Sequence, residues 1–269
     1  LFDPSMIPLG IYLYSMKKNG YPQRPVRGIF LRGSVQVLGV ALLLALSPGR
    51  DDSAAFMPEQ GRSGRILFAP IFEGEALELG REYALEGGAD SIRLETLRFY
   101  LSHPRLLRKG RVVFAFPESA YLMDMAEPAS LALSWSAPRT LLFDQVAFEL
   151  GVDSLTQAGG ARGAALDPIR GMYWSWQSGY IHVKLEGTAT ASKARHFSFQ
   201  YHLGGYRAPF NTIRTLVLPA RPRGDTHIHI ALDAFFEAVD LAATPDIMRP
   251  CPEAMQAVRS FADAFKTVP

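Results

Sequence analysis

The side chains able to hold a metal here are six histidines, His103, His182, His196, His202, His227 and His229, and a single cysteine, Cys251. In "THIHIALD" the two-residue alternation of a strand puts His227 and His229 on one face with Ala231 and Asp233, while Ile228, Ile230 and Leu232 point the other way. Two imidazoles at i and i+2 project in parallel and can share an ion such as copper or zinc, although for the pair alone a solvated strand face is the simpler reading. His202 lies between "HFSFQY" and "LGGY", where glycines let the backbone bend and aim a side chain into a pocket. Taken alone, it reads more simply as a buried histidine satisfied by a backbone carbonyl. His103 precedes Pro104 and reads as a strand-end residue. With one cysteine there is no internal disulfide framework and no CxxC pair for a zinc ribbon, a thiol redox site or covalent haem, so a metal would be held by nitrogen and oxygen donors.

A second set of residues stands out in "GMYWSWQSGYIHVKLEG", Gly171 to Gly187. Ile181, Val183 and Leu185 alternate as a core face, which leaves Met172, Trp174, Trp176, Tyr180 and His182 as the opposite row if no bulge intervenes. Such a row is a second buried face or a ligand platform. Gly171 and Gly179 make a bulge feasible, and composition does not choose between the two.

The elements that must position these residues are mostly short strands. Runs at 66–72, 92–101, 112–116, 120–125, 131–135, 142–150, 172–185, 196–203, 212–218 and 226–232 alternate apolar and polar residues between turn signals. The predicted fold is all-β, an antiparallel β-sandwich with long loops and a short C-terminal helical segment. That helix is predicted in "CPEAMQAVRSFADAFKTV", where Cys251, Met255, Val258, Phe261, Ala262 and Phe265 recur at helical spacing, with a shorter one in "DAFFEAVD".

Length and charge narrow the function classes. The chain has 269 residues, of which 48% are hydrophobic, enough for a substantial core. Lys17, Lys18, Arg24, Arg27 and Arg32 precede an apolar run from Val35 to Leu46, too short to span a bilayer but suited to the core of a secretory signal. Residues 1–55 therefore read as an upstream extension plus signal peptide and linker, with cleavage expected near Ser53–Ala55, and residues 56–269 as one domain. Six of the 28 basic and three of the 26 acidic residues lie before position 56, so 22 and 23 remain in a nearly neutral domain. That balance argues against nucleic acid or, once the leader is removed, a membrane as partner.

Common catalytic signatures are missing: there is no GxSxG, HExxH, Walker loop or GxGxxG. Asp153 in "GVDS" and Asp167 in "LDP" have no nearby nucleophile or paired acid, and read as turn-fixing residues or as calcium ligands with backbone carbonyls.

Read together, "LRFYLSHPRL", "YLMDM", "FELGVDS", "GAALDPIRGMYWSWQSGYIHVKLEG", "FQYHLGGY" and "IALDAFFEAVD" resemble the MbnP-like family, the periplasmic partners of methanobactin-type copper systems and their relatives. The resemblance implies a periplasmic or secreted, β-rich, non-enzymatic protein that binds copper. It further implies a tryptophan converted to kynurenine by a di-haem cytochrome c peroxidase-like (MbnH-like) partner, the modified residue contributing to the copper site. Trp174 and Trp176 both match the motif, as does His202, whereas the resemblance assigns no ligand role to His182, His227 or His229.

The competing reading is a binding module whose aromatic row stacks on an extracellular glycan or peptide, which requires the tryptophans to be exposed. For the copper reading, the short connection from Gly187 to Arg195 predicts adjacent antiparallel strands that bring His202 towards Trp174 or Trp176. His229 is expected as the best additional ligand, ahead of His227 and His182.

Overall fold

The computed structural model describes residues 61–176 and 179–268. The leader predicted over residues 1–55 lies outside the described residues. The domain is a sandwich of two sheets. The smaller runs β15 (Phe265–Thr267), β13 (Thr226–Ala231), β1 (Arg62–Phe72), β2 (Glu75–Ala76), with β7 (Ala132–Ala137) on the first half of β1. The larger runs β12 (Arg214–Pro219), β8 (Gln145–Leu150), β4 (Ser91–Arg108), β10 (Gly179–Ala189), β11 (Ser198–Gly204), β14 (Asp246–Ile247). To it are added β3 (Glu82–Ala84), β5 (Arg111–Ala115) and β6 (Ala120–Asp124), all on β4, and β9 (Tyr173–Trp174) on β10.

Alternation decides which residues fill the space between the sheets. Ile66 and Phe68 of β1 and Ile228 and Ile230 of β13 meet Phe99, Phe148, Val183, Leu185, Tyr201 and Leu203 from the larger sheet. Phe68 stands edge-on to Phe99 and Phe148, with ring centroids 6.4 and 5.6 Å away. The predicted C-terminal helix is α3 (Pro252–Asp263), with proline in its first turn and Ala254, Ala257, Val258 and Phe261 buried at helical spacing. The shorter helix is α2 (Leu232–Glu237), and α1 (Ser154–Ala158) was not expected from the sequence.

Three features depart from the sequence reading. β1 pairs with β13, and β11 with β14, in parallel, each pair being joined by a long stretch of chain rather than by a hairpin. The strands β2, β3, β14 and β15 are two or three residues long, too short to leave a period in the sequence. The run 172–185 is not one strand but a hairpin: Trp174 pairs with Gly179 and Tyr173 with Tyr180.

A second, smaller core lies on the outer face of the larger sheet. Tyr100, which alternates with the sandwich-core residues Phe99 and Leu101, packs there with Val152, Leu166, Met172, Trp174, Tyr180 and Ile181. The segment between β8 and β10 covers this cluster and is pinned by local hydrogen bonds. Asp153 Oδ1 accepts from the Leu155 and Thr156 amides at 3.0 Å each, and Asp167 Oδ1 from Ile169 at 3.0 Å, so both aspartates hold turns. The Tyr180 hydroxyl donates to Leu166 O at 2.9 Å and accepts from the Arg162 amide at 2.9 Å; the Tyr100 hydroxyl donates to Ala165 O at 2.8 Å.

Candidate metal centre

The two tryptophans of "YWSW" have opposite environments. Trp174 is 4% exposed and its indole Nε1 is buried without a hydrogen-bond partner, whereas Trp176 is 66% exposed. Their rings nevertheless lie against each other, 5.7 Å apart at the centroids and tilted by 43°. The benzo edge of Trp174 rests on Gly204 of β11, where a Cβ would fall 2.8 Å from Trp174 Cζ3 and 2.6 Å from Tyr180 O. Gly204 is glycine because the indole occupies the place of its side chain. The open aromatic row therefore does not exist: Met172, Trp174 and Tyr180 are buried in the second core, and Trp176 alone of the pair reaches solvent. This removes the platform on which the glycan or peptide reading stood.

His202 lies two residues from Gly204 on the same face of β11, about 7 Å of strand. As predicted, β11 runs antiparallel to β10, with Ile181 opposite Gly204 and Lys184 opposite His202. His202 is 8% exposed and its Nε2–H donates to Glu186 Oε1 at 2.7 Å, a carboxylate also reached by Lys184 Nζ at 3.2 Å. The hydrogen bond from His202, with Lys184 adding to it, holds the Glu186 carboxyl down at about 2 against an ordinary 4.5. A carboxylate that takes the Nε2 proton fixes the tautomer and leaves Nδ1 with its lone pair, the arrangement of a metal-ligating imidazole with its orienting acid. Glu186 and Lys184 were not singled out in the sequence; "KLEG" carries them, but only the strand register shows that they face His202.

His182 has a different role. A bulge in β10 between Ile181 and Val183 turns it into the interior, where it is fully buried and touches Gly151, Gln157 and Thr212. One tautomer satisfies every partner: the Gln157 amide donates to Nε2, Nδ1–H donates to Thr212 Oγ1 at 2.9 Å, and Thr212 donates on to Gly205 O at 3.1 Å. Gln157 Oε1 accepts from the Tyr180 amide at 2.8 Å, closing the chain. Burial, with Arg214 nearby, lowers the His182 pKa from 6.5 to about 3, so the ring is neutral. Both nitrogens are used, and His182 is not available as a ligand. The same chain backs a cavity of about 230 Å³ lined by Gln157, Trp174, Tyr180, Tyr206, Arg207 and Phe210.

The expectation that His229 completes the His202 site also fails. Ile228 and Ile230 are in the sandwich core, so His227 and His229 project from the outer face of the smaller sheet, with the whole core between them and His202. His103 is not at a strand end but within β4, at the irregularity between Ser102 and Arg105, with φ of 47°. Glu149 and Asp153 lie 3.8 and 4.0 Å from opposite nitrogens of its ring and so do not converge on one point. Among the described residues no group of three or more His, Cys, Asp or Glu side chains is placed to hold a metal. The face around His202 thus offers one oriented imidazole, two residues along β11 from the glycine on which a buried indole rests. That is one donor, and a firm copper site needs at least another.

The model of the MbnP family matches residues 62–249. The chain belongs to the MbnP family. The matched span runs from β1 to β14 and holds every candidate ligand, while α3 and β15 lie beyond it although both pack into the same core. Among solved structures, MbnP from Methylosinus trichosporium is similar at 17% identity and a TM-score of 0.49, with 72% of this chain and 87% of that chain covered. No curated protein matches the chain. Among the described residues no helix is long and apolar enough to cross a membrane.

Proposed function

We propose that this MbnP-family chain is a periplasmic or secreted copper-binding protein, not itself an enzyme, in which Trp174 is the residue converted to kynurenine and His202 is the imidazole ligand beside it. One observation carries the assignment: Trp174 rests on Gly204, two residues along the same strand face from a histidine whose Nε2 is held by Glu186. Trp176 is the weaker candidate for modification, since its exposed ring lies against Trp174 rather than on the strand that carries His202. It supports the reading in another way, because its ring, in tilted contact with the buried indole, links that indole to the surface, where a di-haem peroxidase-like partner would withdraw electrons.

In the conversion the indole C2–C3 and C2–N bonds would break: C3 would become the aryl ketone and C2 would leave as formate, three waters would supply the oxygens, and the four electrons and four protons would pass through the partner's haems to two equivalents of peroxide. An aromatic amine is thereby freed from the indole ring. Together with His202 Nδ1 it gives copper a second nitrogen donor, which the unmodified chain lacks. Lys184 sits on the Glu186 carboxylate, so Glu186 orients the imidazole rather than binding the ion.

The test is peptide mapping by mass spectrometry of the protein purified from a cell that exports it with its partner. Trp174 is expected to have exchanged the mass of one carbon for one oxygen, with Trp176 unchanged. Modification at Trp176 with Trp174 intact would contradict the assignment.

A further inference from the structure

We infer that His227 and His229 form a second transition-metal site, exposed and independent of the face that carries His202 and Trp174. The pair lies on β13, which is held on one side by β1 (His227 opposite Leu67, His229 opposite Ala69) and on the other by β15 (His229 opposite Lys266). Ile228 and Ile230, both 0% exposed, anchor the intervening residues in the sandwich core, so the backbone that presents the two rings is fixed. Strand geometry sets their Cα atoms roughly 6.6 Å apart on one face. Two rings at that spacing can each turn a nitrogen onto one ion at a bond length of about 2 Å.

The surroundings select the class of ligand. Neither ring makes a hydrogen bond or ion pair with a described residue, and the neighbours Ala69 and Ala231 are small. The acid next in sequence, Asp225, is occupied: Oδ2 accepts from Arg65 Nη2 at 2.6 Å and Oδ1 from the Arg65 amide at 2.9 Å. Asp225, the acid whose charge His227 feels, is thus taken by Arg65 and is not free to start an oxygen-rich site of the kind calcium or magnesium needs. What the strand offers is two imidazoles and open positions for water, which suits Cu(II), Ni(II) or Zn(II). The Lys266 ammonium beside His229 disfavours a bound cation, so the ion should exchange readily.

The experiment is a titration of unmodified, folded chain with Ni(II), read by broadening of histidine ring resonances and by calorimetry, in the wild type and in His227→Ala, His229→Ala and His202→Ala. The rings of His227 and His229 should broaden first. Each single substitution in the pair should weaken binding roughly tenfold or more, because the second imidazole no longer binds intramolecularly. His202→Ala should leave the event unchanged. Wild-type affinity in both His227→Ala and His229→Ala, or loss of the event in His202→Ala, would overturn the second site. Because the probe is nickel and Trp174 is unmodified, that failure is distinguishable from failure of the copper reading.

Discussion

The outer faces of the two sheets begin from the same pattern, a strand with apolar residues inward and histidine outward, and end with different chemistry. On the smaller sheet nothing described covers β13, so His227 is exposed and His229 half-buried. On the larger sheet, residues 151–174 fold over the outer face and build a second core, which buries Trp174 and leaves His202 8% exposed beside Glu186. On the proposed reading, an exposed imidazole pair would bind through two flexible rings and exchange its ion. A single imidazole fixed by a carboxylate is preorganised, but on the proposed reading it would be one donor short until the indole of Trp174 is opened. What distinguishes the faces is the covering segment, not the strands.

Removing parts of that cover should show the difference, and the largest effect is expected at Trp174. Trp174→Ala should destabilise the domain by about 3–5 kcal/mol, as for large aromatic truncations in a core, whereas Trp176→Ala should change it by less than about 0.5 kcal/mol. Urea unfolding of the two variants checks this, and equal losses would erase the contrast between the indoles.

Next comes the polar chain beneath the cover. His182→Leu should cost about 1–3 kcal/mol at neutral pH, since Thr212 and Gln157 lose their partner. It should also change the pH dependence. Between pH 6.5 and about 3 the unfolded chain takes up a proton that the buried ring refuses, so wild-type stability falls as pH drops through that window. In His182→Leu the upper part of this slope, from 6.5 to 4.5, should flatten; an unchanged slope would mean that the ring titrates normally.

A smaller effect belongs to Glu186. Its carboxyl is held at about 2 rather than 4.5, so its stabilisation is fully present above pH 4.5 and is lost as pH falls towards 2. Glu186→Gln should cost about 1 kcal/mol at neutral pH and should flatten the stability curve only below pH 4.5, leaving the His182 window intact. The smallest effect is expected on the open face, where His227→Ala should shift unfolding by less than about 0.5 kcal/mol while abolishing most nickel binding.

Much of the fold was legible because alternation and helical spacing are local signals. The strands around Phe99, Phe148 and Ile228 and the helix ending at Asp263 follow directly from them. The site was less legible because its decisive facts are nonlocal. Gly179 made a bulge feasible, but nothing local to "SGYIHVK" shows that it falls at His182 and sends the ring inward to Gln157 and Thr212, or that Trp174 and Trp176 part company at a reversal of the chain. That His229 and His202 stand on opposite sides of one core depends on which sheet each strand joins. The Gly187 to Arg195 connection, by contrast, was short enough to fix the pairing of β10 with β11, and with it the neighbourhood of His202 and Trp174.

The most direct test is the copper that stays with the exported, partner-treated protein after dialysis against a chelator, compared among wild type, His202→Ala, Trp174→Phe and His229→Ala. Retained copper should be lost from His202→Ala and from Trp174→Phe and kept by His229→Ala, whose imidazole is on the far sheet. Copper retained by His202→Ala, or lost from His229→Ala, would contradict the assignment of the centre to the face shared by His202 and Trp174.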